Sequence, residues 1–279
     1  MENNTLISII IPCFNDVKFI EQSVFSALNQ THFQVEVIVV DDGSNLETKK
    51  VLKSLESKIT KLITQENSGQ SKARNIGIEV ANGNYILVLD SDDYLESTFC
   101  EKAFAIFKNN LDLKLVSCYA NLIFENNKTI LFKPVGGTIH DFLFSNAALG
   151  TSMFKKEDWD NCGGYDETMK KGFEDWEFFI RLLKTGGSAE IIQEPLYNYR
   201  KRNDSTTTRA NLNKYELLNY IYAKHKDLYI DNYGLFIDHL LTQIQRQEQE
   251  KLKCLKKNEY QIGYFLLRPL RFIKSFLNK

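Results

Sequence analysis

Cysteine spacing excludes one kind of chemistry at the outset. The five cysteines, Cys13, Cys100, Cys118, Cys162 and Cys254, are odd in number and form no CxxC. Neither a disulfide framework nor a zinc site with paired ligands fits that pattern, whereas scattered thiols fit a reduced, cytoplasmic compartment. Charge of one sign is also lacking. The formal net charge is -1, so nothing pulls the whole chain toward nucleic acid or an anionic surface, and any electrostatic role is local. No apolar run approaches the roughly 20 residues that span a bilayer. The start of the chain has no charged region, apolar core and cleavage site in series, so no signal peptide is expected. Internal repeats and low-complexity tracts are missing too. So is a GxGxxG after the first apolar run, where Pro12-Cys13-Phe14-Asn15 stands instead; this argues against a dinucleotide-binding dehydrogenase. What is present is an ordinary globular composition, 43% hydrophobic and 25% charged over 279 residues. That length suits one large domain or one domain plus an appendage.

Apolar patterning supplies the architecture. Leu6 to Ile11, Val35 to Val40, Ile59 to Thr64 and Tyr85 to Leu89 read as strands. Helices fall between them: one capped by Asn15 or Asp16, one ending near Ser57, and one from Ser71 to Ala81. This alternation predicts an α/β fold with a mostly parallel sheet flanked by helices. Beyond Ser97 to Lys108, a further helix, Leu115 to Tyr119 and Thr129 to Phe132 add strands, at least one of them antiparallel. A helix starts near Glu174, and Ala189 to Ile192 and Leu196 to Tyr199 form strands around Pro195. From about Asn211 the pattern is helical. The expected division is therefore a catalytic domain over residues 1–210 and a helical extension over 211–279.

The strand Tyr85 to Leu89 runs into Asp90-Ser91-Asp92-Asp93. Ligands of an open α/β sheet sit at the carboxyl ends of its strands, and right-handed crossovers bring those ends to one edge. Asp42, closing the second strand, and Asp90 to Asp92 should then share a rim. Crowded carboxylates call for a positive partner. Mg²⁺ or Mn²⁺ holding a phosphate is an economical one, because such ions take oxygen ligands and few carboxylates. The plainer reading is that Asp92 and Asp93 cap a following helix and that Asp42 makes a turn with Gly43.

Taken together, Ser8-Ile-Ile-Ile-Pro-Cys-Phe-Asn15, Val39-Val-Asp-Asp-Gly-Ser44, Asn67-Ser-Gly-Gln-Ser-Lys-Ala-Arg-Asn-Ile-Gly77, Asp90-Ser-Asp-Asp93, Gly163-Gly-Tyr-Asp-Glu167 and Glu174-Asp175 resemble the family 2 glycosyltransferases of GT-A fold. They lie in the family's order over the first three quarters of the chain. The resemblance implies inverting transfer of a sugar from a nucleotide-sugar, usually a UDP-sugar, to a hydroxyl of a glycan or lipid-linked acceptor in surface-polysaccharide synthesis. It implies that Pro12, Phe14, Asn15, Asp42 and Asn67 line the nucleoside site, with Asp42 accepting from the uracil imide. Arg74 would counter the phosphates or the acidic loop; its bland alternative is a surface ion pair. Asp90 and Ser91 would contact the donor, and Asp92 would ligate Mn²⁺ or Mg²⁺. Asp175 would be the general base, at a helix N-terminus that favours the ionised carboxylate. Glu174 and Trp176 are acceptor candidates, with core packing equally open for Trp176.

Many relatives carry a histidine after the last core strand. Here the loop runs Tyr199-Arg-Lys-Arg-Asn-Asp-Ser205 without one: either phosphate and water complete the metal, or, the favoured reading, Arg200 and Arg202 take over part of the diphosphate; a solvated basic loop is the plain alternative. Two rivals are a metal-dependent nucleotidyltransferase and a non-catalytic partner that binds nucleotide-sugar or glycan. In the tail, Ile262, Phe265, Leu266, Leu270, Ile273, Phe276 and Leu277 share one helical face and Arg268, Arg271 and Lys274 the other, with Lys251, Lys253, Lys256 and Lys257 upstream. A helix lying on the inner membrane surface and a helix packed on protein both fit this pattern.

Overall fold

The computed structural model describes residues 5–126, 128–202 and 206–277. The first unit, Met1–Lys224, opens with β1 (Ile7–Cys13), α1 (Ile20–Leu28), β2 (Val35–Asp42), α2 (Leu46–Leu55), β3 (Lys61–Gln65), α3 (Gln70–Glu79) and β4 (Tyr85–Val88). It continues through β5 (Tyr94–Leu95), α4 (Phe99–Asn109), β6 (Leu113–Phe124), β7 (Thr129–Phe132), α5 (Ile139–Phe142), β8 (Met153–Lys155), α6 (Lys156–Cys162), α7 (Glu174–Lys184) and β9 (Ser188–Lys201). All strands join one sheet in the order β3-β2-β1-β4-β8-β6-β9-β5, with β7 hanging on β6. The four strands β3, β2, β1 and β4 are mutually parallel; β8 is antiparallel to β4 and β6. The expected α/β architecture is present, with β1 and β2 buried on both faces as their continuous β-branched runs require.

Two glycines permit close approaches that shape the rim. A Cβ on Gly77 of α3 would lie 2.4 Å from Cγ2 of Ile10, so the helix packs on β1 at a distance no side chain allows. Gly43 follows β2 with φ +77, and a Cβ there would meet the Asn67 backbone nitrogen at 2.7 Å. The Asp-Gly turn and the loop before α3 are thereby held in contact.

Local expectations fail where distant partners compete. Asn15 and Asp16 cap no helix: α1 begins at Ile20, and Asn15 adopts a left-handed φ of 60. Asp92 and Asp93 cap none either. The chain after them enters β5, paired with β9 through Tyr94↔Asn198 and Leu95↔Tyr197, and α4 starts only at Phe99. The two strands expected around Pro195 are one, β9, whose register against β6 shifts beside Tyr119, the partner of Pro195. A bulge there absorbs the missing proline N–H.

Helices α8 (Thr206–Leu212) and α9 (Lys214–Lys224) belong with the sheet unit, not with a tail beginning at 211. Lys171 pairs with Glu216 at 2.7 Å, the Tyr220 hydroxyl donates to Asp166 at 2.7 Å, and Lys224 pairs with Asp166 at 2.5 Å and with the buried Glu177 at 2.9 Å. The second unit, His225–Lys279, contains α10 (Lys226–Asp231), α11 (Tyr233–Lys256) and α12 (Asn258–Leu277). No residue of α11 is buried, and Ile262, Phe265 and Leu266 of α12 are exposed. The side chains of Arg268, Leu270, Arg271, Ile273, Lys274, Phe276 and Leu277 lie outside the described residues. Among the described residues, no helix is long and apolar enough to cross a membrane.

Candidate active site

The carboxyl edge of the parallel strands carries three groups of residues. The first surrounds Asp42. Its Oδ1 accepts from Gln65 Nε2 at 2.6 Å and from the Ser68 N–H at 2.8 Å, and its Oδ2 accepts from the Gly69 N–H at 2.9 Å. Three of the about four acceptor sites of a carboxylate are thus filled by the loop that starts α3. Asp42 holds that loop, which the turn alternative did not anticipate. Asn67, exposed, rides on Gly43. The Phe14 ring is 48% exposed at the end of β1, available as a flat wall beside buried Pro12. Asn15 Oδ1 accepts from the Asn45 N–H at 2.7 Å, which ties this wall to the start of α2.

The second group is built on Arg74. Its guanidinium donates to Asp90 Oδ1 at 3.0 Å and to Glu174 Oε1 at 2.7 Å, and lies 5.3 Å from the centre of the Tyr165 ring. It is 2% exposed, so the surface ion pair is excluded. Burial opposes its charge, but Asp90 and Glu174 more than compensate and hold its pKa above the usual arginine range. Gln70 Nε2 adds a 2.8 Å hydrogen bond to Asp90. One side chain of α3 therefore joins the end of β4 to the first turn of α7, where Asp175 follows Glu174. Asp175 Oδ2 accepts from Asn146 Nδ2 at 3.0 Å, and its Oδ1 from the Trp176 N–H at 2.8 Å. Burial, with Glu174 second, pushes the Asp175 carboxyl up to about 7 against the pull of Arg74. A Cβ on Gly150 would approach its Oδ2 to 3.0 Å, so glycine keeps that oxygen's surroundings open. Trp176 follows the core alternative. It is 4% exposed and its indole N–H donates to the Phe142 carbonyl at 2.6 Å, which removes its ring as a platform for an acceptor. Glu174 is likewise spent on Arg74.

The third group is the acidic loop with the end of β9. Asp92 Oδ2 meets Arg202 at 3.2 Å, and the same guanidinium nitrogen lies 2.8 Å from Asp16 Oδ1. Ser91 Oγ donates to Asp16 Oδ2 at 2.5 Å. Arg200 donates to the Asp92 carbonyl and, at 2.5 Å, to Gln22, while its guanidinium packs over the Phe19 and Tyr94 rings. Burial raises Asp92 to about 6, with Asp90 and Asp16 adding to it and Arg202 opposing. Asp93 turns inward, fully buried, accepting from the Tyr197 hydroxyl and the Arg200 N–H. It anchors the loop to β9.

Asp42 and Asp90 are bridged by the single stretch from Gln65 to Gln70, and Arg74 joins Asp90 to Glu174 beside Asp175, whereas Trp176 is not brought into the site. Sequence reasoning missed Asp16, Gln70, Asn146 and Tyr165 as members of the site. Asp16 had a signal, since it follows the first strand at the ligand edge; Asn146, in a loop without a motif, had none. Among the described residues no set of three or more His, Cys, Asp or Glu side chains forms a metal site. Asp90 and Asp92, with side chains 29% and 22% exposed, nevertheless fit a hard cation that takes one or two carboxylates and completes its shell with phosphate and water.

Comparison with known proteins identifies the family. The profile of glycosyl transferase family 2 matches residues 8–161, and that of the N-terminal domain of galactosyltransferase matches residues 142–204. An uncharacterized glycosyltransferase of Methanocaldococcus jannaschii is 28% identical over 205 residues, 70% of either chain. The hyaluronan synthase of Pasteurella multocida is 28% identical over 97% of this chain, which spans only 28% of that protein. Among solved structures, S. aureus TarS 1-349 in complex with UDP is similar with a TM-score of 0.61 at 21% identity, covering 77% of this chain and 66% of that one. The complex of the same protein with UDP-GlcNAc gives 0.62 at 21%, covering 73% and 60%. The profile spans more than half of the residues and takes in the parallel strands, the Asp42 turn and the Asp90 loop: the chain belongs to glycosyl transferase family 2.

Proposed function

We propose that this chain is an inverting glycosyltransferase that moves a sugar from a UDP-sugar to a hydroxyl of a glycan or lipid-linked acceptor in polysaccharide synthesis. Phe14, Pro12 and Asn67 wall the nucleoside site, with Asn15 behind them and the remaining acceptor capacity of Asp42 facing the base. Asp90 and Ser91 position the ribose and diphosphate. Asp92, with Asp90, is the place for Mn²⁺ or Mg²⁺, which when bound supplies Lewis-acid neutralisation of the departing diphosphate. Arg202 and Arg200 supply guanidinium donors at the same edge, standing where relatives carry histidine. Asp175 accepts the proton of the attacking hydroxyl through Oδ2, oriented by Asn146. A carboxyl pushed up to about 7 combines a workable ionised fraction with real basicity at neutral pH.

The observation that carries this reading is the Arg74 bridge. Arg74 pairs with Asp90 and with Glu174, which precedes Asp175; joining the proposed donor-side carboxylate to the turn of the proposed base is suited to holding two substrates in register. The test is a donor screen by mass spectrometry with Mn²⁺ and simple acceptors. Release of UDP with a glycosylated product supports the reading; pyrophosphate released from a nucleoside triphosphate would instead favour a nucleotidyltransferase.

For location, we propose the cytoplasmic side of a membrane with α12 on its surface. Residues 251–279 hold eight basic side chains against one acid, Glu259, while the whole chain is at -1. Such segregated charge beside exposed apolar residues suits an anionic leaflet. Sedimentation with vesicles containing acidic lipid, and not with neutral ones, is the expected result.

A further inference from the structure

Beside the rim lies a cavity of about 530 Å³, within the ~300–1,000 Å³ range of small-ligand sites. Three stretches wall it: residues 15–19 after β1, residues 123–125 at the end of β6, and residues 200–202 at the end of β9. The donor reading uses only the edge of this space. Phe14, Asp42, Asn67, Arg74, Asp90 and Asp92 are all absent from its wall, and only Asn15, Asp16, Arg200 and Arg202 are shared. Asp175 is absent as well, so whatever binds here lies away from the reacting hydroxyl.

The wall is basic: Lys18, Arg200, Lys201 and Arg202 face two acids, Asp16 and Glu125. The two arginines are engaged, Arg202 with Asp16 and Asp92 and Arg200 with Gln22, the Asp92 carbonyl and two aromatic rings. The two lysines have no carboxylate within ion-pair distance among the described residues. Lys18 is exposed, and Lys201, half-buried, has its amine 4.3 Å from the centre of the Tyr199 ring. Phe19 and Phe124 also line it, the Phe19 ring lying under the Arg200 and Arg202 guanidinium groups. A concave site with two ammonium groups outside carboxylate ion pairs, that of Lys201 packed on the Tyr199 ring, and two phenyl rings is matched to a ligand that joins a sugar ring to an oxyanion.

We propose that this cavity is a distal acceptor subsite that recognises a carboxylate or phosphate carried by the acceptor glycan, with Lys18 and Lys201 as its anion ligands. The inference rests on the reading of the chain as a sugar transferase. It makes the enzyme selective for anionic acceptors through a part of the acceptor that does not react.

The test uses the full chain and three hexasaccharides that differ only in carrying neutral hexose, hexuronate or hexose phosphate. In the wild type the anionic acceptors should show the lower KM, and comparison of the two identifies the oxyanion. K18Q/K201Q should raise KM for the preferred anionic acceptor by about 10-fold, as loss of two ion pairs implies, with kcat, the neutral acceptor and UDP affinity unchanged; K18R/K201R should restore it. Equal KM for neutral and anionic acceptors in the wild type overturns the proposal. So does an equal loss of UDP affinity in K18Q/K201Q, which would make the cavity part of the donor site. If no acceptor is glycosylated, the transferase reading fails first, and calorimetry decides separately. Binding of an anionic hexasaccharide that K18Q/K201Q abolishes upholds the subsite, and absence of binding to the wild type removes it.

Discussion

Arg74 and Arg202 do the same thing at two ends of one rim: each guanidinium spans a pair of carboxylates. They differ in burial. The Arg74 side chain is 3% exposed and Arg202 30%. Behind Arg74 stands a packed frame of α3, α7 and Tyr165, and its removal leaves Glu174, itself buried, without a counter-charge. Arg202 faces solvent on one side, and water replaces it at little cost. The buried bridge therefore sets geometry before any substrate arrives, whereas the half-buried one borders solvent, where we propose that its carboxylates meet a cation or a diphosphate. One rim combines a fixed half, which holds the candidate base, with an adjustable half, which we propose meets the donor's charge.

The sharpest cut through the fixed half is Asp175→Asn. Transfer should fall by about 10²–10⁴-fold, the usual worth of a positioned base, with UDP affinity unchanged in calorimetry; undiminished turnover removes Asp175 from the chemistry. Arg74→Ala should cost about 3–5 kcal/mol in denaturant unfolding because it strands buried charge, and Arg202→Ala about 0–1 kcal/mol. Equal losses would erase the distinction between the halves. Gly77→Ala, which drives a methyl into Ile10, should cost about 1–3 kcal/mol by the same assay and lower activity through the tilt of α3.

Acidity supplies the finest discrimination. Asp175 must be ionised to act, so kcat/KM should climb through about pH 7, and affinity for Mn²⁺ should climb through about pH 6 as Asp92 ionises. Stability moves the opposite way. A carboxyl whose folded pKa is raised stays protonated in the native state after the unfolded chain has ionised, so its contribution is lost between about pH 4 and pH 7. Asp175→Asn should therefore be more stable than wild type above pH 7 and not at pH 4, as thermal unfolding at the two pH values would show.

The strand-helix alternation and the acidic strand ends were open to reading because they follow local rules: doubly buried strands are continuously apolar, and ligand sites gather where parallel strands end. Asp42, Asp90 and Asp92 emerged that way, whereas Asp175, in the first turn of α7, was named through the family resemblance. The roles of Asp42 and Arg74 did not, since a carboxylate holding a loop and a buried cation holding two elements look like any turn acid or helix arginine in one dimension. Asn15 and Asp16 mislead for a related reason. Their capping propensity, worth about 1 kcal/mol, is outweighed by the Asn45 N–H, Ser91 and Arg202. The division of the chain also shifted from residue 210 to 224, because helical periodicity marks where helices begin and not which surface their lysines and tyrosines reach.

By itself the amino-acid order determined the alternation of strands and helices through the parallel half, which strand ends are acidic, and which family profile the chain matches, since all three are written in near-neighbour patterns. Tertiary structure alone decided that Asp93 is an anchor, that Trp176 is core, that Asn146 meets Asp175, and that four cations line one cavity. Each of those depends on which distant groups share a volume from which water is excluded, and there the strength of a charge or hydrogen bond is set by its surroundings and not by its residue type.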